Sequence, residues 1–157
     1  MLGAAADTTG CMQARDIAAL AWWTEEVLEA ARLDRTLIAI VDDDPPFRES
    51  MRRLVMLLGY IVEVFPSAAD FLESRLLPET ACLVADVHMP RMTGPELHGR
   101  LVELGYAIPT ILITAYPDDG VRERALKDGV VCYLSKPVDD RDLERCLRSA
   151  LKPGQPD

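Results

Sequence analysis

Short apolar segments alternate with segments of helical periodicity five times, and this alternation constrains the fold more than any other feature of the sequence. The first apolar segment, TLIAIV, is apolar throughout, which is typical of a strand buried on both faces. The five predicted strands span 36–41, 61–65, 81–85, 110–113 and 130–134. Because strands that alternate with helices form a parallel sheet covered on both sides, the sequence predicts a doubly wound α/β domain.

Apolar side chains recur at helical spacing after each predicted strand. The predicted helices span about 45–58, 66–72, 95–104, 118–127 and 139–151. Gly59 and Gly105 follow two of these segments, where a helix end favours a residue with left-handed backbone angles. The helices and strands together account for one domain, from residue 35 to residue 152.

Residues 13–33 carry an uneven apolar stripe with Trp22 and Trp23 beside it, which predicts an extra amphipathic helix within an N-terminal extension, residues 1–34. A helix of this length is marginal unless it buries a face, so we expect it to pack on this domain, on a second copy, or on a target. Self-association into a homodimer is the interpretation we favour. The alternatives are a leader docked on its own domain and a misplaced start codon. Residues 153–157 form a tail or the start of a linker.

The chain of 157 residues carries a net charge of −9, with a pI of about 4.7. This acidity argues against direct binding to the phosphate backbone of nucleic acids. No apolar run approaches the roughly 20 residues needed to span a bilayer. The first residues also lack the basic and apolar regions of a secretory signal. The sequence thus predicts a protein that neither spans the membrane nor binds DNA directly.

The four cysteines, Cys11, Cys82, Cys132 and Cys146, show no paired or CxxC spacing. Cys82 and Cys132 lie inside apolar runs, so we expect them to act as small buried apolar side chains. This cysteine pattern is typical of a protein in a reducing cytoplasm.

Polar side chains follow the predicted strands where each strand ends: Asp42 and Asp43 after the first, Asp86 after the third, Thr114 at the fourth and Lys136 at the fifth. In a doubly wound sheet of order 2-1-3-4-5 these ends line one rim, with a crevice between the first and third strands. Three carboxylates in that crevice are costly unless protons or a cation neutralise them. Mg²⁺ does so while also accepting phosphate oxygens. The pattern therefore predicts a phosphoryl-transfer site.

Four motifs, VDDD (41–44), VADVHMPRMTGPEL (84–97), ILITA (111–115) and YLSKP (133–137), stand in order at the ends of predicted strands. Together they resemble the receiver domain of response regulators in two-component signal transduction, over about residues 35–151. The resemblance implies a flavodoxin-like (CheY-like) five-stranded parallel sheet of order 2-1-3-4-5. It also implies a phosphorylation-dependent signalling switch that catalyses only its own phosphorylation and dephosphorylation.

The resemblance assigns Asp86 as the phosphoacceptor, phosphorylated by a histidine kinase or a phosphotransfer protein. It implies that Asp43 is a direct Mg²⁺ ligand and that Asp42 acts partly through water. Asp86 itself and the backbone carbonyl of His88 would complete the protein ligands. Asp44 is interpreted as a helix cap or a solvated acid.

The resemblance further implies that Thr114 and Lys136 bind the phosphoryl group. Tyr133 would be an aromatic switch that turns inward when Thr114 moves, and the Lys136–Pro137 bond would be cis. In the family that the chain resembles, the positions held here by His88 and Tyr116 flank the path of the hydrolytic water. Because both are bulky, we expect slow loss of the phosphate.

His98 is expected on a helix surface. No segment after residue 151 is long enough for an output domain, so a single-domain switch should signal to an unknown output protein through the fourth helix, fifth strand and fifth helix. A receiver fragment of a larger regulator with a DNA-binding output domain is an alternative, and a phosphorylation-independent interaction module is another. A Mg²⁺-dependent phosphatase with an aspartate nucleophile is disfavoured, because His88 stands where such enzymes usually carry a second acid.

Overall fold

The computed structural model describes residues 36–152, which form a five-stranded sheet in the order β2-β1-β3-β4-β5. All neighbouring strands pair in parallel. The strands are β1 (Leu37–Val41), β2 (Ile61–Phe65), β3 (Cys82–Asp86), β4 (Thr110–Thr114) and β5 (Cys132–Ser135). The predicted fold class and strand order are confirmed.

Five helices connect and follow the strands. They are α1 (Pro45–Leu57), α2 (Ala68–Leu72), α3 (Gly94–Glu103), α4 (Asp119–Lys127) and α5 (Asp140–Ala150), with a short 3₁₀ turn at Leu77–Glu79 before β3. Each predicted end lies within about two residues of the observed one, the usual uncertainty of helix and strand boundaries. The predicted helix at 13–33 lies outside the described residues.

Two apolar layers hold the sheet between the helices. In β1, Ile38 and Ile40 face the layer that contains α1 and α5, whereas Ala39 and Val41 face the layer that contains α2, α3 and α4. Every residue of β3 and of β4 is buried, as expected for central strands covered on both faces. Because helices pack on both faces of the sheet, the strand ends have defined positions. The residues that follow the strands are placed accordingly. Within residues 36–152, no helix has both the length and the apolar content to cross a bilayer.

The start of α3 passes directly against the end of β3, and Gly94 makes this approach possible. A Cβ atom at Gly94 would lie 2.5 Å from the carbonyl oxygen of Asp86 and 2.9 Å from Cδ2 of Leu112. The helix begins with a capping box, in which Thr93 Oγ1 accepts from the Glu96 amide at 3.2 Å and Glu96 Oε1 accepts from the Thr93 amide at 2.9 Å. The turn after Asp86 is thus closely packed and fully hydrogen-bonded at its helix end.

The expectation that Cys132 acts as a small buried apolar side chain is wrong, because Cys132 of β5 is partly buried and forms a disulfide with Cys146 of α5. The cysteines therefore give no argument for a reducing compartment. Their spacing of 14 residues gives no sign of pairing, since it is the packing of α5 on β5 that brings the two sulfurs together. Cys82 does follow expectation. Its thiol is fully buried in β3, and burial raises its pKa to about 12.

The expectation that His98 lies on a helix surface is also wrong. His98 is only 9% exposed, on the inner side of α3. Burial lowers the pKa of its imidazole, although the nearby charge of Asp128 acts in the opposite direction. From the sequence alone, a polar histidine in a helix is expected at the surface. Whether it is buried depends on which side chains pack around it, and only the tertiary structure shows that.

We predict opposite effects for alanine at the two glycines of α3. Gly94→Ala should lower the free energy of unfolding by about 1–3 kcal/mol, because its methyl group has no space beside Asp86. Gly99→Ala should raise it by about 0.5–1 kcal/mol, because nothing lies within 4 Å of its Cβ position and alanine favours the helix. Urea denaturation of both variants is the measurement. Equal stability of the two would contradict the close approach described above.

Candidate functional site

Three carboxylates converge at the carboxyl ends of β1 and β3. Asp42 and Asp43 follow β1 directly, Asp86 ends β3, and the register pairs Val41 with Ala85. One oxygen from each of the three carboxylates lies within 4.8 Å of the other two. Asp42 and Asp86 are buried, at 2% and 6% exposed, whereas Asp43 is exposed. The structure therefore brings together the three acids that the sequence places at this rim.

The end of β5 adds an ammonium group to the same cluster. Lys136 Nζ lies 3.2 Å from Asp42 Oδ2 and 3.3 Å from Asp86 Oδ1. The backbone holds the residue in place, since the Lys136 amide donates to the carbonyl of Thr114 at 2.8 Å. The Lys136–Pro137 bond that follows is cis, as predicted. Lys136 thus connects the two buried carboxylates of neighbouring strands.

Burial and charge shift the pKa values of this cluster. Burial raises the pKa of Asp42, although the Asp44 amide, which donates to Oδ1 at 2.8 Å, and Lys136 act against it. Burial also raises the pKa of Asp86, and the charge of Asp42 adds to that effect. Burial alone would lower the pKa of Lys136, but the two carboxylates outweigh it and raise the pKa. One ammonium against three carboxylates leaves a negative site.

The donor set fits Mg²⁺. Asp42, Asp43 and Asp86 offer only carboxylate oxygens, the hard ligands that Mg²⁺ prefers, and the exposed Asp43 leaves space for the waters that the ion retains. The His88 side chain is exposed, and its ring lies edge-on to the Tyr116 ring with 5.7 Å between centroids. Among residues 36–152, the group that could hold a metal ion consists of the three aspartates and includes no imidazole.

Thr114 and Tyr133 lie at the same side of the sheet, and both side chains are engaged with backbone amides. The fully buried Thr114 accepts a hydrogen bond from the Tyr116 amide through Oγ1 at 2.9 Å. Tyr133 accepts one from the Asp118 amide through its hydroxyl at 3.2 Å. Asp118 caps α4, because its Oδ1 accepts from the Val121 amide at 3.0 Å. The Tyr133 hydroxyl is therefore attached to the start of α4.

Two residues of the first turn of α1 contact the cluster and were not singled out by the sequence patterns. Arg48 Nη1 donates to the carbonyl oxygen of Asp42 at 2.7 Å. The Phe47 ring lies under Lys136, with Nζ 4.0 Å from the ring centroid. Because Phe47 also fits the apolar stripe of the helix, the sequence pattern alone gives no sign of its contact with Lys136. Asp44 precedes this turn as an exposed N-cap whose carboxylate makes no capping bond.

A parallel sheet of this order, with acids after β1 and β3 and a lysine after β5, defines a class of signalling domain. The sequence profile of the response regulator receiver domain matches residues 38–148, and the chain belongs to this family. Members of this family are signalling switches of two-component systems rather than catalysts of other reactions. The acidic pocket of receiver domains is the place where they bind Mg²⁺.

Particular relatives support this assignment. The response regulator protein TmoT of Ectopseudomonas mendocina is 38% identical over 117 residues, which cover 74% of this chain and 53% of TmoT. An uncharacterized 14.6 kDa protein of Leptolyngbya boryana is 42% identical over 124 residues, 76% of this chain and 93% of that protein. The crystal structure of FixJ-N superposes with a TM-score of 0.68 at 32% identity, covering 77% of this chain and 97% of FixJ-N. The chain spans about half the length of TmoT and of several similar regulators.

We predict that Asp86→Asn stabilises the fold at pH 7 in metal-free buffer. The pKa of Asp86 is raised in the fold, so its stabilising contribution is present below the unfolded pKa and is lost as pH rises through the folded pKa. The melting temperature of the variant should exceed that of the wild type at pH 7, and the difference should shrink as the pH is lowered. Thermal melts over a pH series measure this.

Glu63→Gln is the matched control, because it removes one negative charge from an exposed position of β2. It should leave the melting temperature nearly unchanged across the same series. A destabilised Asp86→Asn at pH 7 would show that the pairing with Lys136 outweighs burial and the repulsion from Asp42.

Proposed function

We propose that this domain is a phosphorylation switch that accepts one phosphoryl group on a carboxylate oxygen of Asp86. The observation that carries the proposal is the cluster itself: one oxygen from each of three aspartates lies within 4.8 Å of the other two, and Lys136 Nζ lies 3.3 Å from Asp86 Oδ1. A histidine kinase or a phosphotransfer protein in the cytoplasm is the proposed donor. Residues 35–152 form the proposed receiver unit.

The chemical step needs positioning and charge compensation more than covalent help from the protein. An oxygen of Asp86 bonds to phosphorus while the bond from phosphorus to the donor imidazole breaks, and the electron pair remains on the imidazole nitrogen. Lys136 and the Thr114 hydroxyl contact the oxygens of the transferred group. Asp42, Asp43, Asp86 and the His88 carbonyl would hold Mg²⁺, which would add positive charge to neutralise those oxygens.

We propose that the signal leaves the site through α4, β5 and α5. If the Thr114 hydroxyl turns to the phosphoryl group, it releases the Tyr116 amide that it now holds. Tyr133 can then turn into the vacated space, which breaks its bond to the Asp118 amide. The N-terminus of α4 loses a tether, and the surface presented to an output protein changes. We infer the direction of this change from the two hydrogen bonds that are present now, those of Thr114 and Tyr133 with backbone amides.

A receiver that forms part of a larger, DNA-binding regulator is the second candidate. The length of relatives such as TmoT and the transcriptional regulatory protein FixJ favours it, because this chain covers 53% and 58% of them. The relative from Leptolyngbya boryana favours the single-domain form, because this chain covers 93% of it. The mass of the intact protein purified from its own cells decides between the two.

We predict that acetyl phosphate with Mg²⁺ adds one phosphoryl group to the wild type and none to Asp86→Asn. The physical reason is that the Asp86 carboxylate lies 3.3 Å from Lys136 Nζ and beside two other aspartates, and asparagine has no nucleophilic carboxylate oxygen. Intact-mass spectrometry measures the addition, and peptide mapping locates it. Asp140→Asn, an exposed position of α5, is the control and should label like the wild type. Equal labelling of wild type and Asp86→Asn would refute the assignment.

We predict that Asp43→Ala weakens Mg²⁺ binding at least tenfold, because it removes the exposed charged ligand from the cluster. Titration followed by amide chemical shifts around Asp86 gives the dissociation constants. Asp44→Ala is the matched control, because Asp44 is the exposed residue that follows Asp43 and its carboxylate is not part of the cluster. If both variants bind Mg²⁺ like the wild type, Asp43 is not a ligand.

A further inference from the structure

The Lys136 ammonium contacts three groups, and the third is an aromatic ring. Its Nζ lies 3.2 Å from Asp42 Oδ2, 3.3 Å from Asp86 Oδ1 and 4.0 Å from the centroid of the Phe47 ring. The lysine side chain is only 18% exposed. A cation over the face of a ring at this distance is attracted by the ring quadrupole, and more strongly where water is excluded. Phe47 therefore contributes to the position of the ammonium.

The Phe47 ring belongs to a helix that packs on the sheet. Phe47 is the third residue of α1, and Met51 and Val55 anchor that helix in the layer it shares with α5. Lys136, in contrast, carries its charge on a flexible chain of four carbons. Because the half-buried Phe47 ring packs on this layer, it restricts the flexible lysine more than the lysine restricts the ring.

A metal cation can compete with Lys136 for the carboxylates, but not for the Phe47 ring. A cation bound by Asp42 and Asp86 would compete with Lys136 for the charge of the same two carboxylates, and its own charge would repel the ammonium. The ring is neutral and offers no oxygen to a hard cation, so its contact with Lys136 is not shared. The aromatic contact is the one of the three that remains available when the carboxylates bind another positive charge.

We infer that Phe47 is a positioning residue, which holds the Lys136 ammonium beside Asp86 through a cation–π contact while the carboxylate cluster binds a cation. The inference rests on the proposed function, because the value of a retained ammonium is to meet the oxygens of the incoming phosphoryl group. It assigns a role in the transfer step to a side chain that otherwise belongs to the apolar stripe of α1.

The first test is the rate of phosphorylation of the full chain by acetyl phosphate at saturating Mg²⁺. Phe47→Leu should slow it by about 3- to 10-fold, because leucine fills the space but has no ring face. Phe47→Trp should restore the rate, since tryptophan binds cations best among the aromatic residues. Leu57→Ala is the control, because Leu57 is 85% exposed on the same helix and should not affect a small donor.

The second test observes the contact without any reaction. The ring should shift the Lys136 ε-methylene NMR signals upfield in the wild type, both without and with Mg²⁺, and Phe47→Leu should remove that shift. In a Lys136→Met background, Phe47→Leu should cause no further loss of rate. A wild-type rate in Phe47→Leu would overturn the inference. So would a slow Phe47→Leu whose rate effect persists without the lysine, because that effect would come from packing.

The two proposals fail in different ways. If the wild type takes up no phosphoryl group at Asp86, the proposed function fails. If the wild type is phosphorylated there and Phe47→Leu matches it, the proposed function stands and the role of Phe47 is refuted.

Discussion

The geometry of the candidate site depends on the pairing of one ammonium with two carboxylates that are buried on neighbouring strands. Asp42 and Asp86 are each desolvated, and burial raises the pKa of both. Lys136 lies within 3.3 Å of each and offsets part of that cost. Two charges of the same sign in a buried rim are tolerated in proteins when function requires them. Three carboxylates against one ammonium leave excess negative charge in the cluster, which a bound metal ion would neutralise.

The rest of the fold serves to hold these three side chains in place. Two apolar layers clamp β1 and β3, so the carboxyl ends of the strands have fixed positions. Gly94 lets α3 begin against the Asp86 carbonyl, where any side chain would collide with the backbone. Arg48 holds the Asp42 carbonyl from α1, and Phe47 supports the lysine from the same turn. A packed frame of this kind would let the proposed phosphorylation of Asp86 act on its surroundings.

The route from the site to the surface starts from hydrogen bonds that are already present. The Thr114 hydroxyl is occupied by the Tyr116 amide, and the Tyr133 hydroxyl is occupied by the amide at the start of α4. Either side chain must give up its partner before it can turn toward the site. In the proposed switch, these two hydrogen bonds would have to break. The disulfide between Cys132 and Cys146 joins β5 to α5 and limits how far those two elements can separate.

The sequence by itself determined the helices and strands, their parallel order and the acids of the site. It could do so because apolar periodicity is local, and because parallel strands all end at the same edge, so residues that follow strands must meet. The tertiary structure alone decided that Cys132 pairs with Cys146, that His98 is buried and that Phe47 lies under Lys136. Each of these is a contact between elements, set by how helices rotate and pack on the sheet. Sequence periodicity tells which face of a helix is apolar, but it does not tell which side chain of another element that face will touch.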